Sequence, residues 1–256
     1  MSGLASILRR AFGALGTERT RELSAARTPE TATAVRVETT NGGIDVEPAD
    51  GDAVTVSATA RTTKSGDDLD NVELDIEEDG ETLSVAPVLP EGDHGISVSL
   101  DVRVPESLGV SHVETENGGI EVRNVAGDAR LVTANGGVEA ERVDGALSAE
   151  TTNGRVELTD CRVTDARSTN GRVVLTLDDV TGDVDARTTN GSVTVRVPDD
   201  ANARFDLSTD LGSVDTENLT CHVETQSRTR LVGELGDGGP TITGRANTGS
   251  VTLTSR

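Results

Sequence analysis

The chain has 256 residues, a formal net charge of −22, no Trp, no Tyr and two Phe. An acidic balance with no basic patch to displace counterions excludes a nucleic-acid partner. A core without large aromatics is thin and built from Val, Leu, Ile, Ala and Thr, and with Lys64 as the single lysine the surface has the cast of a protein from a salt-rich cytoplasm.

At the N-terminus, Leu4, Ile7, Leu8, Phe12 and Leu15 fall on one arc of a helical wheel, so residues 1–16 are expected to form a short amphipathic helix. Two uses fit it. It is either a cap over one end of the fold or a peripheral membrane anchor, with Arg9 and Arg10 toward anionic headgroups. The charge of residues 1–22, +2 against −24 for the remainder, keeps the anchor open. The apolar run stops at Gly16 and meets Glu18, which reads as neither a signal peptide nor a transmembrane segment, so a cytoplasmic location is expected. Residues 17–33 are polar and are expected to be a flexible linker, completing a leader over 1–33.

Residues 34–256 read as one β domain. In its opening section, 34–104, strand-like alternation recurs in Val35–Glu38, Val54–Ala58, Val72–Ile76 and Ile96–Val104. Residues 105–256 are more regular. Eight copies of a short motif, one in the opening section and seven here, typified by Glu150-Thr-Thr-Asn-Gly-Arg-Val-Glu-Leu158, carry an invariant glycine at Gly42, Gly118, Gly136, Gly154, Gly171, Gly191, Gly212 and Gly249. The preceding residue is Asn in six of them: Asn41, Asn117, Asn135, Asn153, Asn170 and Asn190. Asn and Gly tolerate positive φ, so each pair is expected to be a corner, followed by a strand with one buried face. Two residues before the Asn column sits a Thr or Ser, or Ala246, which also points inward.

From Gly118 the glycines are 18, 18, 17, 20, 21 and 37 residues apart. Such a period means stacked units that cannot bury their faces alone. Asn-Gly is also a hairpin signal, so a meander of hairpins competes with a β-solenoid of coils of about 18 residues. The solenoid is preferred, because the inward residues Val156, Leu158, Cys161, Val163 and Ala166 break phase as they would at the corners of a coil. The last coil ends at Val251 and Leu253 with nothing left to cover it, which marks these two residues as a candidate assembly end.

The repeats, together with the ending Gly236–Leu253, resemble the putative-adhesin family of β-strand-repeat domains. That resemblance covers about residues 34–256 and implies a β-solenoid without catalytic residues. In architecture and composition the chain also resembles bactofilins, which polymerise end to end, and halofilins, cell-shape proteins of halophilic archaea.

No catalytic set is legible. Asp45, Glu121, Glu139 and Glu157 form an acidic column that could supply carboxylate pairs for glycoside cleavage, yet no Trp or Tyr is present to stack on a sugar. His94, His112 and His222 are scattered, and Cys161 and Cys221 form no C-x-x-C pair, so spacing indicates no metal and no cofactor. The expected function is a non-enzymatic cytoplasmic scaffold that associates with itself through its ends near the membrane. The alternative is an adhesin-like binding module that uses the solenoid face.

Overall fold

The computed structural model describes residues 18–64, 68–92 and 95–256. The expected helix, with Leu4, Ile7, Leu8, Phe12 and Leu15, lies outside the described residues. Period-2 alternation governs the rest, and the regular structure of the described residues is all strand apart from one 3-10 turn at Leu69–Asn71. No helix among the described residues is long and apolar enough to cross a membrane.

The opening section comprises β1 (Arg19–Arg27), β2 (Ala34–Asn41), β3 (Ile44–Pro48), β4 (Val54–Thr62), β5 (Glu73–Asp79), β6 (Thr82–Val88) and β7 (Ser97–Val104). Two-strand coils follow: β8 (Gly109–Asn117) with β9 (Ile120–Arg123), β10 (Ala129–Asn135) with β11 (Val138–Glu141), and β12 (Ala146–Asn153) with β13 (Val156–Thr159). Next come β14 (Arg162–Asn170) with β15 (Val173–Thr176), β16 (Val184–Asn190) with β17 (Val193–Val197), and β18 (Ala203–Leu211) with β19 (Val214–Glu217). A hairpin of β20 (Cys221–Gln226) and β21 (Arg230–Leu235) precedes the last coil, β22 (Thr241–Thr248) with β23 (Val251–Ser255).

The shorter strand of each coil joins one sheet, ordered β1-β4-β7-β3-β9-β11-β13-β15-β17-β23-β19, here called sheet A. The longer strand joins sheet B, ordered β20-β21-β18-β22-β16-β14-β12-β10-β8-β2-β6-β5. Coil-to-coil pairing is parallel and in register, with Asn117, Asn135, Asn153, Asn170 and Asn190 aligned in successive strands. Parallel neighbours cannot be joined by hairpins, so the repeat region is a β-solenoid and not a meander.

Three expectations are corrected by this order. First, the last coil is not an end. β22 lies between β16 and β18, and β23 between β17 and β19, so Val251 and Leu253 are fully buried inside the stack. The β20–β21 hairpin accounts for the interleaving: β21 pairs antiparallel with the outer edge of β18, and the chain returns to its inner edge. Second, the expected linker is a strand from Arg19 to Arg27. β1 pairs antiparallel with β4, and the Arg21 guanidinium donates to the carbonyls of Leu69 (2.5 Å) and Val72 (2.9 Å). Third, only one of the phase breaks in Val156–Ala166 is a corner. The other is a β-bulge at Thr164, where Leu147 faces Val163 but Ser148 faces Asp165.

The glycine column serves a different purpose from the expected one. Positive φ occurs in it at Gly42, Gly191 and Gly249, and the other five members are not in that region. What the whole column shares is close approach between coils. A Cβ built on Gly154 would sit 1.8 Å from the Gly136 carbonyl oxygen, and one on Gly136 would sit 1.9 Å from that of Gly118. The inward Thr/Ser column locks the same contact. Thr115, Thr133, Thr151, Ser168 and Thr188 each donate a hydroxyl hydrogen bond of 2.9 Å to the glycine carbonyl of the preceding coil. Each buried hydroxyl is thereby satisfied, which offsets its desolvation.

Left-handed backbone instead marks the opposite corner, at Asn124 (φ 55°), Arg142 (φ 52°), Asp160 (φ 53°) and Asn218 (φ 57°). After the first three, Val125, Val143 and Cys161 turn inward and plug that side of the core. Asn and Asp tolerate this conformation, so three of the four positions carried a readable signal, which Arg142 obscured.

Candidate functional site

The register that stacks inward residues also stacks outward ones. On sheet A, Asp101 on β7, Asp45 on β3, Glu121 on β9, Glu139 on β11 and Glu157 on β13 are direct neighbours. Five carboxylates at an interstrand spacing of about 4.8 Å make a row roughly 19 Å long. The row ends where β15 puts Val174 and β17 puts Thr194 in the same column.

Beside the row, the neighbouring column holds Gly43, Gly119 and Gly137 just before their strands and Ser99 within β7. With no large side chain there, a shallow groove of about 400 Å³ opens, walled by Asp45, Asp101, Glu121 and Glu139. The arginines of this face lie on the other side of the row or at its far end. Arg123 pairs with Glu121 and lies 3.8 Å from Asp45, Arg103 lies 2.5 Å from Glu47, and Arg155 lies 2.5 Å from Glu157. Burial, and next the charge of Glu47, push the Asp45 carboxyl above its ordinary range; Arg123 opposes them and Asp101 adds to the rise. A site where ionisation is already opposed by like charge gains from an arriving cation.

At the first corner the exposed Asn side chains form a continuous amide ladder. Asn117 donates to Asn41 at 2.7 Å, and Asn135, Asn153, Asn170 and Asn190 each donate to the preceding Asn at 2.9 Å. Their expected role as structural corners thus takes the form of side-chain stacking. The column closes on Thr248 of β22 and on Leu211 of β18, which is 70% exposed.

The stack ends are finished by strands unlike the coils. β1–β4 and β5–β6 are antiparallel pairs at one end, and β20–β21 extends sheet B at the other. Their edges are rich in charge: Glu73, Asp75, Glu77 and Asp79 line β5, while Arg19, Arg21, Glu22 and Arg27 line β1. Edge strands of this kind resist pairing with another chain. The edge of sheet A at β19 is four residues long; Val214 N–H already donates to the Arg228 carbonyl, and Thr216 N–H to Asp215 Oδ1.

One cluster was invisible in the sequence. On the outer face of sheet B, His112 and Glu114 of β8 meet Glu38 of β2. The histidine appeared isolated because its partners lie on a neighbouring strand and two residues along its own, and no linear spacing links the three. Cys161 is buried, which raises its thiol pKa, and Cys221 is half-buried; both are free.

Fold and surface together define a β-solenoid of two-strand coils whose chemistry is displayed on flat, laddered faces. The chain belongs to the Toastrack DUF4097 family, whose model matches residues 29–254. No curated protein matches it. Among solved structures it is similar to a putative cell adhesion protein from Clostridium sporogenes, at 9% identity over 93% of this chain and 100% of that one, with a TM-score of 0.39. It is also similar to a putative adhesin from Bacteroides fragilis, at 10% identity over 92% and 97% of the two chains, with a TM-score of 0.43. Likeness at that level carries no functional argument. The family assignment lends no support to the bactofilin and halofilin resemblance.

Proposed function

We propose that the protein is a non-enzymatic, adhesin-like binding module that engages a basic, extended partner along the outer face of sheet A. The observation that carries this reading is the unbroken carboxylate row Asp101–Asp45–Glu121–Glu139–Glu157 beside a glycine-floored groove. A row of fixed charges at strand spacing favours a ligand that presents cationic groups along its length, and the net charge of −22 steers such a ligand inward. The groove is too shallow to exclude water, which suits attachment better than chemistry. End-to-end self-association finds less support, since the strand expected to mediate it is interior and the edge strands β1 and β5 are lined with charged side chains. A cytoplasmic location and membrane contact through residues 1–16 are separate proposals that imaging of tagged full-length and leader-deleted protein would test.

Fluorescence anisotropy with a labelled oligolysine peptide tests the face. Glu121→Gln combined with Glu139→Gln is expected to weaken binding at least tenfold at about 0.1 M salt, where surface charges interact over about 10 Å. Glu150→Gln combined with Glu234→Gln removes the same charge from sheet B and is the control. Equal losses in the two double variants would reduce the interaction to net charge and refute a defined face.

A further inference from the structure

The cluster on sheet B lies on the face opposite the carboxylate row and is chemically different from it. His112 Nε2 is 2.8 Å from Glu114 Oε2 and 3.8 Å from Glu38 Oε1. One donor atom from each of the three residues lies within 4.8 Å of the other two. Two of the residues sit at i and i+2 on β8 and so share a face, and Glu38 sits directly across from Glu114 on β2. The histidine side chain is only 17% exposed, so the imidazole is held among its neighbours.

A β-bulge sets this arrangement. Val35 pairs with Val110, but Arg36 pairs with His112, which leaves Ser111 as the extra residue on β8. Ser111 Oγ donates to the Val35 carbonyl at 3.0 Å and fixes the bulge. Bulges re-aim side chains, and this one brings His112 into line with Glu114 and Glu38.

We propose that Glu38, His112 and Glu114 form a binding site for one transition-metal dication of the zinc class. Imidazole nitrogen and carboxylate oxygen are both zinc donors, and three protein donors are the number an open zinc site uses. Tetrahedral bonds of about 2.0–2.1 Å place two donor atoms about 3.3 Å apart, and the observed 2.8 and 3.8 Å bracket that value. Three protein donors leave a fourth position for water or for a group from a partner. Arg36 pairs with Glu38 and stands across from His112, so binding requires Glu38 to exchange the guanidinium for the ion. On the far side of His112, Arg130 is engaged with Glu150 at 2.9 Å and leaves the three donors to one another. The imidazole makes the site selective: hard cations such as Mg²⁺ prefer all-oxygen donors, so the acidic surface elsewhere does not compete for zinc under excess Mg²⁺. An ion held here ties β2 of the opening section to β8, the first strand of the regular stack.

Isothermal titration of the full chain with Zn²⁺, in excess Mg²⁺ and molar KCl, tests the proposal. One saturable equivalent is expected. His112→Ala should weaken it at least tenfold, Glu114→Gln should weaken it measurably, and His222→Ala should leave it unchanged. Zn²⁺ should also raise the melting temperature of the wild type and of His222→Ala but not of His112→Ala, because an ion bound only to the folded state stabilises it. Circular dichroism confirms that each variant is folded before titration. Should His112→Ala fail that check, Glu114→Gln, which keeps the side-chain shape, carries the test. No saturable binding, or binding that survives loss of the histidine or the Glu114 carboxylate, overturns the proposal.

Discussion

Substituting Gly154 by Ala isolates the contact that sets coil spacing. The added Cβ would sit 1.8 Å from the Gly136 oxygen, 2.5 Å from its carbonyl carbon and 3.1 Å from Gly137 N. All three are backbone atoms, so no rotamer change relieves the clash and the two coils must separate. Separation strains Gly136 N–H to Asn153 O (3.1 Å), Thr151 Oγ1 to Gly136 O (2.9 Å) and the Asn153–Asn135 amide bond (2.9 Å). At about 0.5–1.5 kcal/mol per bond, losing all three costs about 1.5–4.5 kcal/mol. Two controls separate close approach from backbone conformation. Gly80 has φ +59° with nothing within 4 Å of a built Cβ, so Gly80→Ala tests left-handed strain alone, at about 1–2 kcal/mol. Gly182 has neither feature, and Gly182→Ala should be neutral or slightly stabilising. Urea unfolding followed by circular dichroism reads all three. If Gly154→Ala unfolds within about 0.5 kcal/mol of wild type, or no worse than Gly80→Ala, the close-approach account is wrong.

Other expectations follow from the same geometry. Ala246 is the only inward column member without a hydroxyl; Ala246→Thr should add a bond to the Gly191 carbonyl, as Thr188 does to Gly171, and stabilise by about 0.5–1.5 kcal/mol in urea unfolding. Glu78 accepts hydrogen bonds from the backbone N–H groups of Thr31, Glu30 and Ala32 and from the Thr31 hydroxyl, which lower its pKa from 4.5 to about 2. A depressed folded-state pKa contributes stability above the unfolded value, so the deficit of Glu78→Gln against wild type should be full above about pH 5 and vanish as the pH falls from 4.5 toward 2. Val251→Lys with Leu253→Lys buries two charges between β17 and β19 and should release β18–β21 together with β22–β23, read as a large loss of strand signal. A loss confined to one frayed coil would contradict the interleaved order.

The coil architecture was legible in Asn-Gly corners, alternation and repeat period, because each coil meets its neighbours through identical columns. Pro105 and Pro198 occupy equivalent turns: both follow sheet A strands, and each accepts an i+3 hydrogen bond, from Leu108 and Ala201. What stayed hidden depends on which non-neighbouring strands meet. The insertion of β22 and β23 ahead of β18 and β19 leaves no mark on their repeats, which match any slot in the stack. The glycine column had two physical explanations, positive φ and close approach, and only the coil separation distinguishes them. The cluster of Glu38, His112 and Glu114 needed both the β2–β8 register and the bulge at Ser111, neither of which linear spacing encodes.

Sedimentation velocity across a wide concentration range, in low and molar salt, bears most directly on the claim that the end strands resist assembly and leave the face as the working surface. The account predicts a single monomeric species of 26.5 kDa throughout. A concentration-dependent ladder of larger species, abolished by changes at the β1, β5, β19 or β20 edges, would contradict it and restore end-to-end assembly.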